Sequence, residues 1–373
     1  MNMRAPNRKK QRGVAIISAL LVVSLTAILV SGMLWRQQVQ IRRIENQRLL
    51  AQAQWISRSA LDWTRLILRS EADTSPTVTY LGGVWGVPIA RTKLSDFLGQ
   101  IGEVRAQQGA STYLSGSIED AQAKFNLRNL VSTPTPGVLT INVAQIQAFQ
   151  RLLTMLGING SLAKTVALQM RAGLARSATR FQTQTGNSAT TASGQNNEST
   201  TLAAIAQGGG AAGGGNFTDD PGLKDPDSNA PVAPLQMITV DSLLDVPGFS
   251  AEAVAKLRPF VTVLPTTTAV NMNTAPAEVI AALIPGMNLS QGQAFVARRE
   301  TVFFHDIGNV QLALTGAGVK TVSIDSNEMD VTTKYFVIHG RVEHERAQLE
   351  RTTLVYRDPT THTTRIVYTR DSL

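Results

Sequence analysis

In "NFTDDPGLKDPDSN", four carboxylates and an amide crowd one turn-rich stretch: Asp219, Asp220, Asp225, Asp227 and Asn229. Hard oxygen donors at that density suit Ca2+, which takes about six to eight of them. The spacing is not that of an EF-hand, and a solvated acidic linker is the plainer reading. The histidines, His305, His339, His344 and His362, do not combine into a metal set. His339 and His344 are an odd number of positions apart, so a strand through both would turn them to opposite faces. The chain has no cysteine, which excludes disulfides, thiol catalysis and thiolate metal sites. It has no HExxH, serine-elbow or phosphate-loop pattern. No catalytic constellation emerges, and the expectation is a protein that is not an enzyme.

"LLDVPGFSAEAVAKLRPF" has the outline of a helix-hairpin-helix, whose backbone amides can hold a nucleic-acid phosphate. Ser250 stands where such hairpins usually carry a second glycine, and no basic face surrounds it. It reads as a packing unit. Net charge points the same way. The chain carries 35 basic and 27 acidic residues, a formal +8. Arg4, Arg8, Lys9, Lys10 and Arg12 all precede an apolar run, and without them 30 basic residues face 27 acidic ones, a net +3.

Gly13 closes that basic cluster, and Val14 to Leu34 holds no charged residue. At about 1.5 Å per residue the run spans about 30 Å, the hydrocarbon thickness of a bilayer. The basic cluster should stay cytoplasmic. Arg36, Arg42, Arg43 and Arg48 on the far side weaken that bias. A cleaved secretory signal would have an apolar core of about 7–15 residues and a small-residue cleavage site; here the run is longer, and Val30-Ser31-Gly32 is a poor site. The helical pattern also continues, through Trp35, Val39, Ile44, Leu49, Ala53, Ile56, Ala60, Trp63 and Ile67, with no proline before Pro76. One helix from Val14 to near Ser70 would be about 85 Å long, apolar all round at first and amphipathic after.

This amino terminus resembles the type IV pilin-like leader, a short basic stretch ending in glycine. The resemblance implies cleavage after Gly13 by a prepilin peptidase and methylation of Val14 as the new first residue. Glycine suits such a site because it lets the backbone extend. Pilin-like chains usually carry glutamate at the fifth mature position, where it neutralises the terminal ammonium of the neighbouring subunit. Here that position is Ser18. A subunit at the tip has no earlier neighbour to match, so Ser18 is a tip signature.

Beyond the helix, "YLSGSIEDAQAKFNLRNLV" reads as a strand and a polar turn, and "TKYFVIHGRVEHERAQLERTTLVYRDPTTHTTRIVYT" as an antiparallel meander with a turn at "RDPTTH". Between them "LLTMLGINGSLAKTVALQM", "LLDVPGFSAEAVAKLRPF" and "LIPGMNLSQGQAFVARR" look alike, each stopping a helix at glycine and starting another. In "NMNTAPAEVIAALIPGM", Asn273 or Thr274 is the expected cap, with Pro276 in the first turn. Ser177 to Gly215 is rich in small polar residues and reads as a flexible loop.

This order, with Ile118, Asp120, Phe125, Asn126, Leu127 and Asn129 and the stretches "VNMNTAPAEVIAALIPGM", "LLDVPGFS" and "FNLRNLV", resembles general secretion pathway protein K, the largest minor pseudopilin class of type II secretion. The implied fold is α+β: a type IV pilin-like fold, long helix on antiparallel sheet, with a large all-α inserted domain. The divisions are a leader at 1–13, a membrane half-helix at 14–34, amphipathic helix and first sheet part at 35–131, helical insert at 132–322 and closing strands at 323–373. The resemblance implies a tip subunit that starts or caps a pseudopilus for protein export across the outer membrane. Its implied partners are minor pseudopilins of the I, J and H classes, the major pseudopilin, the prepilin peptidase and the inner-membrane assembly platform, with no nucleic acid. It would cross a bacterial inner membrane once, with a cytoplasmic amino terminus and a periplasmic body. K-class proteins bind calcium near a comparable acidic loop, which favours Ca2+ at Asp219, Asp220, Asp225 and Asp227. The competing reading is a membrane-anchored DNA receptor using its hairpins, marked by salt-dependent DNA affinity.

Overall fold

The computed structural model describes residues 11–101, 111–134, 138–185, 234–319 and 324–372. Helix α1 spans Gln11–Thr74 without interruption, 64 residues or about 96 Å. It stops directly before the Ser75-Pro76 pair, because a residue before proline is pushed out of the helical region. Leu49, Ala53, Ser57, Leu61, Leu68 and Ala72 are its buried residues, at steps of four and seven that align along one stripe. From Ala15 to Arg48 every residue is exposed.

That stripe packs on a five-stranded sheet. Strands β1 (Ile89–Lys93), β2 (Thr112–Asp120), β3 (Tyr335–His344), β4 (Ala347–Arg357) and β5 (Thr364–Ser372) lie in that spatial order, each pair antiparallel. Leu61 and Leu68 meet Phe336, Ile338 and Val355, with Trp85 closing the edge of the cluster. Nearer the amino-terminal end of the stripe, Ala53 meets Val342 and Leu349. Arg65 ties α1 to the far strand, donating to the Thr364 carbonyl at 2.7 Å and its hydroxyl at 3.0 Å.

The chain leaves the sheet after Asp120 and rejoins it at Tyr335. The excursion is a helical lobe with a core of its own. Helices α3 (Val143–Met155) and α4 (Leu162–Thr185) form its first hairpin, following a short helix α2 (Leu94–Ile101) at the sheet edge. Then come α5 (Ala251–Leu257), α6 (Ala277–Leu283), α7 (Leu289–Thr301) and α8 (Ile307–Gly316). The three glycine turns expected from sequence form one class. Gly157, Gly248 and Gly286 have φ of 72°, 98° and 78°, the left-handed region where a side chain is strained. At Gly248 a Cβ would also lie 2.6 Å from Leu162. Asn142, Ser250, Asn288 and Asp306 cap α3, α5, α7 and α8 through their side chains.

Three local expectations change. Pro276 itself is the residue flanking α6, and the Asn273 and Thr274 side chains bond elsewhere, because the proline φ already suits a helix start. Residues 121–131, grouped from sequence with the sheet, contribute Phe125, Leu127, Leu130 and Val131 to the lobe core. The stretch read as a loop from Ser177 begins as the end of α4, which runs to Thr185; no glycine or proline interrupts it before Gly186. The remainder of that stretch lies outside the described residues.

Two leucines two positions apart test which face of α1 belongs to the head. Leu68 is 0% exposed and Leu66 is 59% exposed. In chemical denaturation, Leu68→Ala should cost about 2–5 kcal/mol and Leu66→Ala no more than about 0.5 kcal/mol.

Candidate assembly interface

Gly13 and Val14 lie in the first turns of α1. The backbone at Gly13 is helical. A terminal turn containing glycine, the poorest helix former after proline, opens readily. Ser18 is exposed, and its hydroxyl donates to the Ala15 carbonyl at 3.0 Å, so its one polar group is satisfied within the helix. The most apolar part of α1 has a mean hydropathy of 2.4 and no buried residue, which makes it a candidate membrane anchor. Asp219, Asp220, Asp225, Asp227 and Asn229 lie outside the described residues. Among the described residues no group of three or more His, Asp or Glu is placed to hold a metal.

The exposed apolar surface does not end where the head begins. Trp55, Trp63 and Leu66 of α1 stay exposed, as do Val84 and Val87 of the following loop, which line one groove with Trp63. This apolar groove of about 390 Å³ runs between helix and sheet. Its floor has no side chains where Gly116 of β2 pairs with Gly340 of β3. Ala60, Thr64 and Ile67 form one wall and Ile89 the other. The indole N–H of Trp85, buried at this wall, has no hydrogen-bond partner among the described residues.

The motif residues picked out from sequence do not form a surface site. They build the joint between lobe and sheet. Asp120, 2% exposed at the end of β2, accepts from the Gln122 amide at 2.7 Å, Asn271 at 2.9 Å, and the Thr274 and Thr333 hydroxyls at 2.6 Å each. Burial pushes its carboxyl above the usual aspartate range, and the four donors pull against that. Asn271 also donates to the Thr79 carbonyl at 3.0 Å. Arg357 closes the network, donating to the carbonyls of Leu68 and Thr333 and to the Thr79 hydroxyl, at 3.1, 3.0 and 3.0 Å, with its guanidinium over Phe336. Asn126 and Asn129 clamp the segment from Leu264 to Thr268: each accepts from a backbone amide and donates to a carbonyl there. Asn273 does the same with Phe304.

Sequence reasoning missed Thr333 and Arg357. The available signal was parity: Arg357 is two residues beyond buried Val355, a charge at a core-facing position of a strand. The histidines are placed apart. His344 faces α1, between Gln52 at 3.1 Å and Thr112 at 2.7 Å. His339, on the opposite face, is 3.5 Å from Glu119. His362 meets Asp73 at 2.7 Å, and His305 packs on Phe303. In the hairpin at Gly248, the Ser250 side chain caps α5.

Burial pushes the Glu119 carboxyl up, but His339 and the Lys124 ammonium, 2.5 Å away, outweigh it and hold the carboxyl at about 2. A depressed value stabilises the fold above the unfolded-state value and is lost as pH falls through the folded one. The window therefore runs from about 4.5 down to about 2. The side chain is 38% exposed, so solvent screening limits the effect to about 1 kcal/mol. Glu119→Gln should lower stability by that amount at pH 7 to 9 and by almost nothing near pH 2, so that the acid limb of stability against pH flattens, as denaturant melts at stepped pH would read.

Two family models of type II secretion system protein K match residues 123–266 and 270–332, together more than half of the chain. The type II secretion system protein K of Pseudomonas aeruginosa is 26% identical over 340 residues, 90% of this chain and 85% of that one. The protein of the same name from Aeromonas hydrophila is 27% identical over 157 residues, 41% of this chain and 43% of that one. Among solved structures, a chain of the GspK-GspI-GspJ complex of the enterotoxigenic Escherichia coli type 2 secretion system has the same fold, with TM-score 0.58 at 16% identity, over 89% of this chain and 99% of that one. With its long apolar helix, antiparallel sheet and inserted helical lobe, this chain belongs to the protein K family of the type II secretion system.

Proposed function

We propose that this chain is a minor pseudopilin that starts or caps the pseudopilus from its tip, and that it is a structural subunit and not an enzyme. The observation that carries the reading is α1 itself: from Ala15 to Arg48 it is uncovered on every side, and it lacks a carboxylate at Ser18. An apolar rod of that length needs a membrane first and neighbouring helices afterwards. A buried charge without a counter-ion in lipid-like surroundings costs several kcal/mol, so a subunit within a fibre needs an acid near its amino terminus and the uppermost subunit does not. The lobe between Asp120 and Tyr335 supports the same position, because a head so widened would clash in a closely repeating fibre. The leader ends at Gly13, Val14 becomes the methylated first residue, and the chain waits in the inner membrane with its body in the periplasm. Its partners are the I- and J-class minor pseudopilins, joined by the H class, with the major pseudopilin below and the assembly platform and prepilin peptidase in the membrane. The E. coli chain of like fold was solved in a complex of GspK, GspI and GspJ.

The test is co-expression with I- and J-class partners and prepilin peptidase. A discrete complex containing this chain with a mass beginning at Val14 is expected, and Gly13→Ala should retain the leader. A body from Arg42 onward that ignores those partners and binds duplex DNA at physiological salt would overturn the reading in favour of a DNA receptor.

The same reading assigns a weak Ca2+ site to Asp219, Asp220, Asp225 and Asp227, on the strength of their donor chemistry. Millimolar Ca2+ should raise the melting temperature of the protein relative to chelator, and substituting the four aspartates by asparagine should abolish the rise. An unchanged melting temperature removes the metal.

A further inference from the structure

Between the apolar run and the head lies a stretch of α1 whose residues are all exposed and which meets no other element among the described residues. The head first reaches the helix at Glu45, which pairs with Arg346 at 3.0 Å, and the first buried residue is Leu49. Leu34 ends the uncharged run about 16 Å below Glu45 at about 1.5 Å per residue. In that gap stand Trp35, 71% exposed, and Arg36, Arg42 and Arg43, with Arg48 just above. All four arginines are exposed, and none has a hydrogen bond or ion pair among the described residues. Glu45 is the one acid from residue 35 to 48, and it is turned to Arg346.

Resting on the membrane-anchor reading above, we propose that Arg36, Arg42 and Arg43 form a collar that binds the phosphate headgroups of anionic phospholipids in the leaflet facing the head. Three observations carry it. The first is height. Arg36 lies about 3 Å beyond Leu34, and Arg42 and Arg43 about 12–14 Å beyond it. A headgroup layer is about 5–8 Å deep, and long arginine side chains reach down toward it along the helix. The second is Trp35, an amphipathic ring at the edge of the apolar run, where interfacial aromatics sit. The third is direction. At about 100° per residue, Arg36 and Arg43 share one side of the helix, while Arg42 lies on another side, about 120° from Arg36. A partner helix packs against one side of α1 and would meet one of these groups. A headgroup layer surrounds the helix and meets them all.

The collar changes the charge balance of the anchor once the leader is gone. Arg4, Arg8, Lys9, Lys10 and Arg12 leave with it, so the basic flank of the mature membrane helix lies entirely on the side of the head. Anionic lipid then resists lateral or outward withdrawal of the subunit until assembly removes it from the bilayer.

The test uses the full mature chain in nanodiscs of phosphatidylglycerol and phosphatidylcholine in equal amounts. Lipid retained during stepwise detergent stripping is measured by mass spectrometry at low salt. Each arginine near an anionic surface is worth about fivefold in enrichment, so phosphatidylglycerol should exceed phosphatidylcholine by at least about tenfold. The triple substitution Arg36→Gln, Arg42→Gln, Arg43→Gln should return the ratio to near parity. Arg58→Gln with Arg69→Gln, exposed positions on the head half of α1, should leave it unchanged, and excess inorganic phosphate should not displace the lipid. Equal enrichment in the triple variant, or displacement by free phosphate, overturns the collar while leaving the anchor reading in place. A triple variant that loses partner subunits with lipid enrichment intact overturns it too, assigning the arginines to a neighbouring helix. A wild-type chain that fails to enter the discs at all removes the anchor reading and the collar with it.

Discussion

Only the carboxyl-terminal part of α1 has its own sheet to rest on. That geometric limit governs the molecule. A helix of 64 residues that first becomes buried at Leu49 leaves more than half its length without intramolecular cover. Hydrogen bonds along its axis do not compensate, because most helical stability in proteins comes from packing an apolar face. The apolar residues from Ile16 to Ile44 therefore need cover supplied from outside the chain. A membrane, and neighbouring helices of an assembly, are the kinds of surroundings that could supply that cover.

The head must hold its end of this rod rigid while carrying a lobe inserted between two paired strands, β2 and β3. Two separate apolar cores would hinge freely if only chain connections joined them. Asp120, Asn271, Thr333 and Arg357 prevent this by joining α1, the loop at Thr79, the sheet and the lobe in one buried network. Each group in it would cost about 1–3 kcal/mol if left without its partner. A fully satisfied polar network specifies one arrangement where apolar contact alone would tolerate several. The asparagines act likewise within the lobe, where short segments such as Leu264 to Thr268 have no regular structure of their own. Asn126 and Asn129 supply the donors and acceptors that a longer sheet would otherwise provide.

The glycine pair in the sheet and the tryptophans on α1 point the same way. Gly116 opposite Gly340 leaves the floor of the groove without side chains. Trp55 remains outside, 68% exposed, and Trp63 is 38% exposed at the groove. Exposed apolar surface of this kind marks a site of interaction.

Periodicity and punctuation were legible in the residues alone. The helical repeat of α1, the alternation in the closing meander and the three glycine turns are local signals, each set by backbone geometry within a few positions, and all three appear in the structure. The opposite facing of His339 and His344 followed from parity in the same way. The end of α4 was misread because small polar residues were taken for a loop although no glycine or proline broke the helix before Gly186. The family motifs were visible as strings, yet their work was not, because Asp120 meets Asn271 and Asn126 meets Leu264 across 151 and 138 residues. Nothing local distinguishes a buried asparagine awaiting a distant carbonyl from one in a solvated turn. The sequence by itself determined an apolar rod, a sheet and a set of hairpins, since those depend on neighbours along the chain. Which polar groups lock the lobe to the sheet, and which stretch of the rod stays bare, were decided only by tertiary contacts, because satisfying a buried charge requires partners that folding alone brings within reach.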